Sequence, residues 1–252
     1  MRIVALLVAR MGSTRLPGKS LMPIAGRPML QLLFERARSA SEPAAMILAT
    51  STDEKDNPIA GLGEKLGVEV FRGSENDVLE RQLKAAEAAR ADAVIEMTGD
   101  NPFVDARLLD SAVRVFRKCG PECYIHTDYE RKFPLGYVCQ VYSVEAMKEA
   151  YLKSEPGSVY REHANLYIYR NPDKYPPKSI PVFDGAHRPE LRLTIDYNED
   201  YQLAKSVFEA QGIDPLSIGI DEVVRYIDAH PEIARLNAHC EQHKPSSDWL
   251  QL

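Results

Sequence analysis

Seven consecutive apolar residues, Ile3 to Ala9, leave little choice at the start of this chain. A strand buried on one face alternates polar with apolar residues, whereas an unbroken run is what a parallel sheet covered on both faces requires. The segments that follow keep the matching rhythm. A glycine- and proline-marked loop, Arg10 to Gly26, leads to a helix from Pro28 to Ala40, with Pro28 as its first residue because a missing N–H costs nothing there. Ala45 to Thr50 reads as a strand and Ile59 to Leu66 as a helix closed by Gly67. Val68 to Phe71 is the third strand. The helix Asp77 to Arg90 places Leu79, Leu83 and Ala86 on one face. Asp92 to Thr98 is the fourth strand, and Asp105 caps a helix over Ala106 to Lys118. Strand–helix alternation over more than a hundred residues predicts an α/β fold with a mostly parallel central sheet, Rossmann-like, binding its ligand at the carboxyl ends of the strands.

The rhythm breaks after Gly120. Strands at Tyr124 to Thr127 and Tyr137 to Ser143 flank a polar loop, and a helix at Val144 to Lys153 precedes a tyrosine-rich stretch, Tyr160 to Arg170. The alternation resumes with a strand at Leu191 to Asp196 and a helix at Asn198 to Gln211. Residues 1–252 are therefore expected to form a single domain with an inserted lobe at 121–190, and the tail from Pro231 to be a peripheral helix with a loose end.

Charge and composition narrow the function. Lysine and arginine number 31 against 37 acidic residues, a net charge of −6, so the broad basic surface of a nucleic-acid binder is missing and any polyanion must be met by a local cationic pocket or a metal ion. No apolar run approaches the roughly 20 residues needed to cross a bilayer. The run at Ile3 follows Met1 and Arg2 too directly for a secretory leader. Cys119, Cys123, Cys139 and Cys240 form no CxxC pair and read as free thiols in a reducing, cytoplasmic setting. His239 and His243, four apart around Cys240, supply too few ligands for zinc and read as surface residues.

Three stretches carry the chemistry. The loop Arg10-Met11-Gly12-Ser13-Thr14-Arg15-Leu16-Pro17-Gly18-Lys19 presents three cations, two glycines and two hydroxyls directly behind a buried strand, which suits a triphosphate. It is not a P-loop: five residues separate Gly12 from Gly18, Pro17 lacks an N–H, and no helix starts at the lysine. Thr98-Gly99-Asp100-Asn101-Pro102 puts a carboxylate at a strand end, where it can bind Mg²⁺ beside phosphate, although the same residues make a good turn. Asp196, ending Leu193-Thr194-Ile195-Asp196, is either a second metal ligand or a helix cap. Arg72-Gly73-Ser74 is either a base or ribose contact or a turn.

These blocks resemble the cytidylyltransferases that activate 3-deoxy-manno-octulosonate and acylneuraminate, and above all the spore-coat-polysaccharide type. The resemblance lies in Ala9 to Lys19, Gly26 to Met29, Phe71 to Leu79, Thr98 to Pro102, Arg161-Glu162-His163 and Leu193 to Asp196, in order from residue 1 to about 210. It implies a glycosyltransferase-A-like nucleotidyltransferase fold and transfer of CMP from CTP to an acidic sugar, sugar phosphate or phosphonate, releasing pyrophosphate. Mg²⁺ would be the cofactor and a homodimer the assembly. The resemblance assigns catalysis to Arg10, Lys19 and Asp100 and the metal to Asp100 and Asp196. Nucleotide and acceptor binding fall to Ala9, Gly12, Ser13, Arg15, Arg72, Ser74, Thr98, His163 and Tyr167, with His163 and Tyr167 on one helical face at the acceptor and Arg161 beside them. Thr98 and Asn101 differ from the usual Gln-Gly-Asp-Glu-Pro of the octulosonate enzymes, and Asn198 stands where proline is common. A nucleotide-sugar glycosyltransferase would be expected to show Asp-x-Asp after the fourth strand, which Gly99-Asp100-Asn101 is not, and a non-catalytic nucleotide-binding module would have little use for both aspartates.

Overall fold

The computed structural model describes residues 1–127 and 129–242. The chain opens with β1 (Ile3–Val8), a tiny hairpin of β2 (Pro23–Ile24) and β3 (Arg27–Pro28), then α1 (Met29–Ala37) and β4 (Ala45–Ser51). It continues through α2 (Asn57–Lys65), β5 (Glu69–Gly73), α3 (Val78–Ala88), β6 (Ala93–Thr98) and α4 (Ala106–Cys119). Next come β7 (Tyr124–His126), β8 (Gln140–Ser143), α5 (Val144–Lys153), the single turns α6 (Val159–Glu162) and α7 (Leu166–Tyr169), and β9 (Pro177–Lys178). The chain then forms α8 (Asn198–Phe208), α9 (Ile220–Ala229) and α10 (Pro231–Arg235).

The central sheet runs β5-β4-β1-β6-β8-β7-β9, and only β8 opposes the rest. Ile3 to Leu7 are wholly buried, which explains the unbroken apolar run. Ile3, Ala5 and Leu7 pack toward α1, α4 and α8, while Val4 and Leu6 pack toward α3 and α5. From β1 the chain crosses to β4 on one side, and it later returns to β6 on the other. That reversal puts a crevice between the carboxyl ends of β1 and β6, where open α/β sheets bind ligands.

Several boundaries differ from the sequence expectation. Pro28 belongs to the hairpin and caps α1, which ends at Ala37. Strand pairing in β8 begins only at Gln140. Leu191 to Asp196 is not a strand of the sheet. Both flanks of β1 and β6 are already occupied, so the backbone of this segment pairs elsewhere: Leu193 and Thr194 donate to the Leu135 carbonyl at 2.7 and 3.1 Å, and Ile195 to the Asp100 carbonyl at 2.9 Å. Gly136 makes this crossing possible. Its φ is +98°, and a Cβ there would sit 2.4 Å from the Thr194 nitrogen. Gly136→Ala is accordingly expected to lower the melting temperature and to loosen the 191–196 segment, read as faster amide exchange at Leu193 and Ile195.

The tail is anchored, not loose, as far as Gln242. Asn237 is buried and donates to the Arg192 carbonyl and to Asp200, and Gln242 accepts from Arg192 at 2.6 Å. His239 lies 3.9 Å from Glu199, and His243 falls outside the described residues. All four cysteines are free thiols.

Candidate active site

Register places the two chemical loops side by side. Val8 pairs with Thr98 across β1 and β6, and the Gly99 N–H donates to the Val8 carbonyl at 2.9 Å. A Cβ at Gly99 would lie 2.9 Å from that of Ala9, so glycine is needed where the loops touch. Between them opens a cleft of about 730 Å³.

The loop after β1 supplies one wall, with Ala9, Arg10, Gly12, Ser13 and Arg15 lining the cleft. Met11 donates to Asp56 at 2.7 Å, Ser13 closes a turn on the Met11 carbonyl, and the Ser13 hydroxyl accepts from Leu16. Gly18, in the left-handed region at φ 72°, turns the chain into a 3₁₀ turn that begins at Lys19.

Lys19 reaches the cleft floor, and its Nζ meets the Ile195 carbonyl at 2.5 Å, Asp196 at 3.1 Å and Asp100 at 3.2 Å. One ammonium thus bridges two carboxylates that are 96 positions apart in the chain. Asp100 also accepts from the Thr98 hydroxyl at 2.6 Å, and that hydroxyl accepts from Asn101. Asp196 is 6% exposed and holds Arg15 at 2.8 Å and Arg192 at 2.9 Å as well. Asp200, behind it, accepts from Arg192 and from the backbone of Asp196 and Tyr197. Burial pushes the Asp196 carboxyl up, but Lys19 and Arg15 outweigh it, so the group ionises below the usual carboxylate range. A depressed folded-state value means that this stabilisation is present above the ordinary aspartate range near 4 and is lost as pH falls through the folded value. Chemical denaturation below pH 4 should therefore show a steeper fall in stability for the wild type than for Asp196→Asn.

His163 and Glu162 also line the cleft. His163 ends α6, and burial, only partly countered by Glu162 and reinforced by Arg10, lowers its pKa. The cleft therefore gathers Ala9, Arg10, Gly12, Ser13, Arg15, Lys19, Thr98, Asp100, His163 and Asp196 in one place.

Three expected binding residues, and Arg161 beside them, lie outside this lining. Arg72 spends its fork on the Ser51 and Asp53 carbonyls at 2.8 and 2.9 Å. The Ser74 hydroxyl accepts from the Asp77 N–H at 3.0 Å, forming a turn. Tyr167 does not share a helical face with His163, because the helix breaks at His163. Its hydroxyl donates to Glu149 and its ring packs edge-on against Tyr160. Arg161 is buried, paired with Asp77 at 2.6 Å, bonded to Ser154 and stacked 3.7 Å over Tyr151, so it braces α6 against α3. Arg161→Ala should cost about 3 kcal/mol of stability by leaving Asp77 and the buried carbonyls unpaired. A chemical-denaturation midpoint equal to wild type would contradict that.

Arg81 and Glu162 line the cleft without having been singled out as site residues. Arg81 is 1% exposed, and burial, reinforced by Arg10, lowers its pKa. Its position one turn into a helix that begins at the strand ends was the available signal, masked by the apolar stripe of Leu79 and Leu83.

The cytidylyltransferase family profile matches residues 4–221. This chain belongs to the cytidylyltransferase family. It is 33% identical over 236 residues to the spore coat polysaccharide biosynthesis protein SpsF of Bacillus subtilis, covering 92% of this chain and 96% of that one. It is 25% identical over 232 residues to an 8-amino-3,8-dideoxy-manno-octulosonate cytidylyltransferase of Shewanella amazonensis, covering 85% and 94%. Among solved structures, a cytidylyltransferase from Leptospira borgpetersenii superposes with a TM-score of 0.87 at 27% identity, over 97% of this chain and 100% of that one. A Mycobacterium tuberculosis protein solved in complex with manganese shares the fold at a TM-score of 0.56 and 17% identity, over 82% and 99%. As a cytidylyltransferase, the chain is a CTP-dependent enzyme.

Proposed function

We propose that this cytidylyltransferase transfers CMP from CTP to an oxygen of a small acidic sugar or a related sugar phosphate or phosphonate. The observation that carries this reading is the Lys19 ammonium lodged between Asp100 and Asp196 beneath the cationic loop. The acceptor oxygen gives up its proton to water and bonds to the α-phosphorus as the bond to the β-phosphate breaks, and pyrophosphate leaves with the electron pair. Such a reaction needs in-line placement and neutralisation of charge growing on the leaving group. Arg10, Gly12, Ser13 and Arg15 cradle the triphosphate, Ala9 and Thr98 border the nucleotide, and Lys19 stabilises the departing pyrophosphate.

The donor set fits a divalent ion. Two carboxylates converge on one cationic group at a cleft floor, which matches the one or two protein carboxylates that Mg²⁺ takes while keeping its other positions for water and phosphate. Asp100 and Asp196 would hold it, and when bound it supplies charge neutralisation to the phosphate oxygens. His163 and Glu162, which also line the cleft, border the acceptor. The segment 121–190 that carries them is read as the acceptor and dimerisation lobe of a cytoplasmic homodimer.

Pyrophosphate release tests the reading. With Mg²⁺ and a panel of acidic sugars, sugar phosphates and phosphonates, release is expected with CTP and not with ATP or UTP. Equal binding of ATP or UTP in titration calorimetry would overturn the base assignment.

A further inference from the structure

We infer that Asp56 is a positioning residue for the phosphate loop, acting through the Met11 backbone N–H. The inference rests on the reading of that loop as the triphosphate cradle. Asp56 is wholly buried, yet among the described residues no cation lies within ion-pair distance of it. Its two oxygens serve two neutral donors. Oδ1 accepts the Met11 N–H at 2.7 Å, across 45 residues of sequence, and Oδ2 accepts the Ser51 hydroxyl. Burying a carboxylate is costly, and a charged acceptor makes a stronger, shorter bond to an N–H than a neutral one does.

What that bond holds is the start of the cradle. Met11 lies between Arg10 and Gly12, and Ser13 closes back on the Met11 carbonyl at 2.8 Å, so fixing Met11 fixes its neighbours on both sides. The turn that carries Asp56 is itself braced. Asp53 donates to the Ser51 hydroxyl at 3.1 Å, and Arg72 grips the carbonyls of Ser51 and Asp53 from β5. The line of support runs from Arg72 to the 51–56 turn, to Asp56, to Met11 and the loop. Arg72 thus reaches the nucleotide site through the backbone instead of touching it. The Asp56 carboxylate also faces Arg81, offsetting the repulsion between Arg81 and Arg10.

The test compares CTP with cytidine, which lacks every phosphate, by titration calorimetry on the full chain with Mg²⁺, alongside the melting temperature. Asp56→Ala is expected to weaken CTP binding about tenfold or more while cytidine binding holds, because only phosphate contacts depend on loop placement. Asp56→Asn keeps an acceptor for Met11 and should restore most of the CTP affinity. Should the alanine variant not fold, Ser51→Ala carries the test, with a loss in the same sense. A folded Asp56→Ala or Ser51→Ala protein whose CTP-to-cytidine affinity ratio equals that of wild type overturns the inference. If wild type binds CTP no better than cytidine, the reading of the loop as a triphosphate cradle fails first.

Discussion

Asp196→Ala is expected to abolish measurable pyrophosphate release. The carboxylate is 6% exposed and is shared by Lys19, Arg15 and Arg192. Its loss removes half of the candidate metal donor set, on the order of several kcal/mol of transition-state charge stabilisation, or at least a thousandfold in turnover. The same change strips a counter-charge from Lys19 and Arg192, whose side chains are 11% and 7% exposed. About 1 kcal/mol of stability should go with it, the loss being limited because Lys19 keeps Asp100 and Arg192 keeps Asp200. Asp196→Asn separates the two effects: it fills the same volume and keeps one of the two acceptor oxygens, the one shared by Lys19 and Arg15 or the one facing Arg192, so its melting temperature should recover more than its turnover. Near wild-type turnover in the asparagine variant would remove Asp196 from the chemistry.

Lys19→Ala should rank second. A contact that strengthens as charge moves onto the leaving group acts on turnover, not on ground-state binding, and removing such a donor costs about 3 kcal/mol, or roughly a hundredfold. There is also a diagnostic shift in pH dependence. Lys19 is the first of the groups holding the Asp196 carboxyl down against its burial, so without it that carboxyl titrates higher. The acid limb of the rate profile should then move toward neutral pH. Lys19→Arg is not expected to rescue: three oxygens at 2.5–3.2 Å surround a compact ammonium, and a planar fork cannot meet them in the same space. A pure rise in the Michaelis constant for CTP, with turnover intact, would make Lys19 a uniform binding residue instead.

The parallel half of the fold was legible because its signals are local. The apolar run of β1, the loop cations and the Asp105 cap of α4 each sit within a few residues of what they determine. Gly99 and Asp100 were legible as a strand end for the same reason. The later half depends on partners far away in the chain. Nothing near Leu193 says that its N–H will go to Leu135 instead of a sheet neighbour. Arg161 looked available for an anion only because Asp77, 84 residues earlier, was not visible as its partner. Arg72 was placed in the right neighbourhood and the wrong layer, since the donors of its fork end on carbonyls of the preceding strand and turn. The helix α9 was missed altogether, although its apolar face of Ile220, Val223, Val224 and Ile227 has clear helical spacing.

The bond from the Ile195 N–H to the Asp100 carbonyl has a consequence for how freely such an enzyme can diversify. It clips together the two ends of a 94-residue excursion right beside the paired carboxylates, and being backbone to backbone it survives replacement of either side chain. The excursion is a loop pinched shut at its base. Insertions or deletions in the connections of 121–190, outside the sheet strands β7, β8 and β9, change what hangs from the clip without changing the gap across it, provided Gly136 keeps its passage under Thr194. Surface around the cleft can vary in such an architecture while the spacing of its two aspartates stays constant.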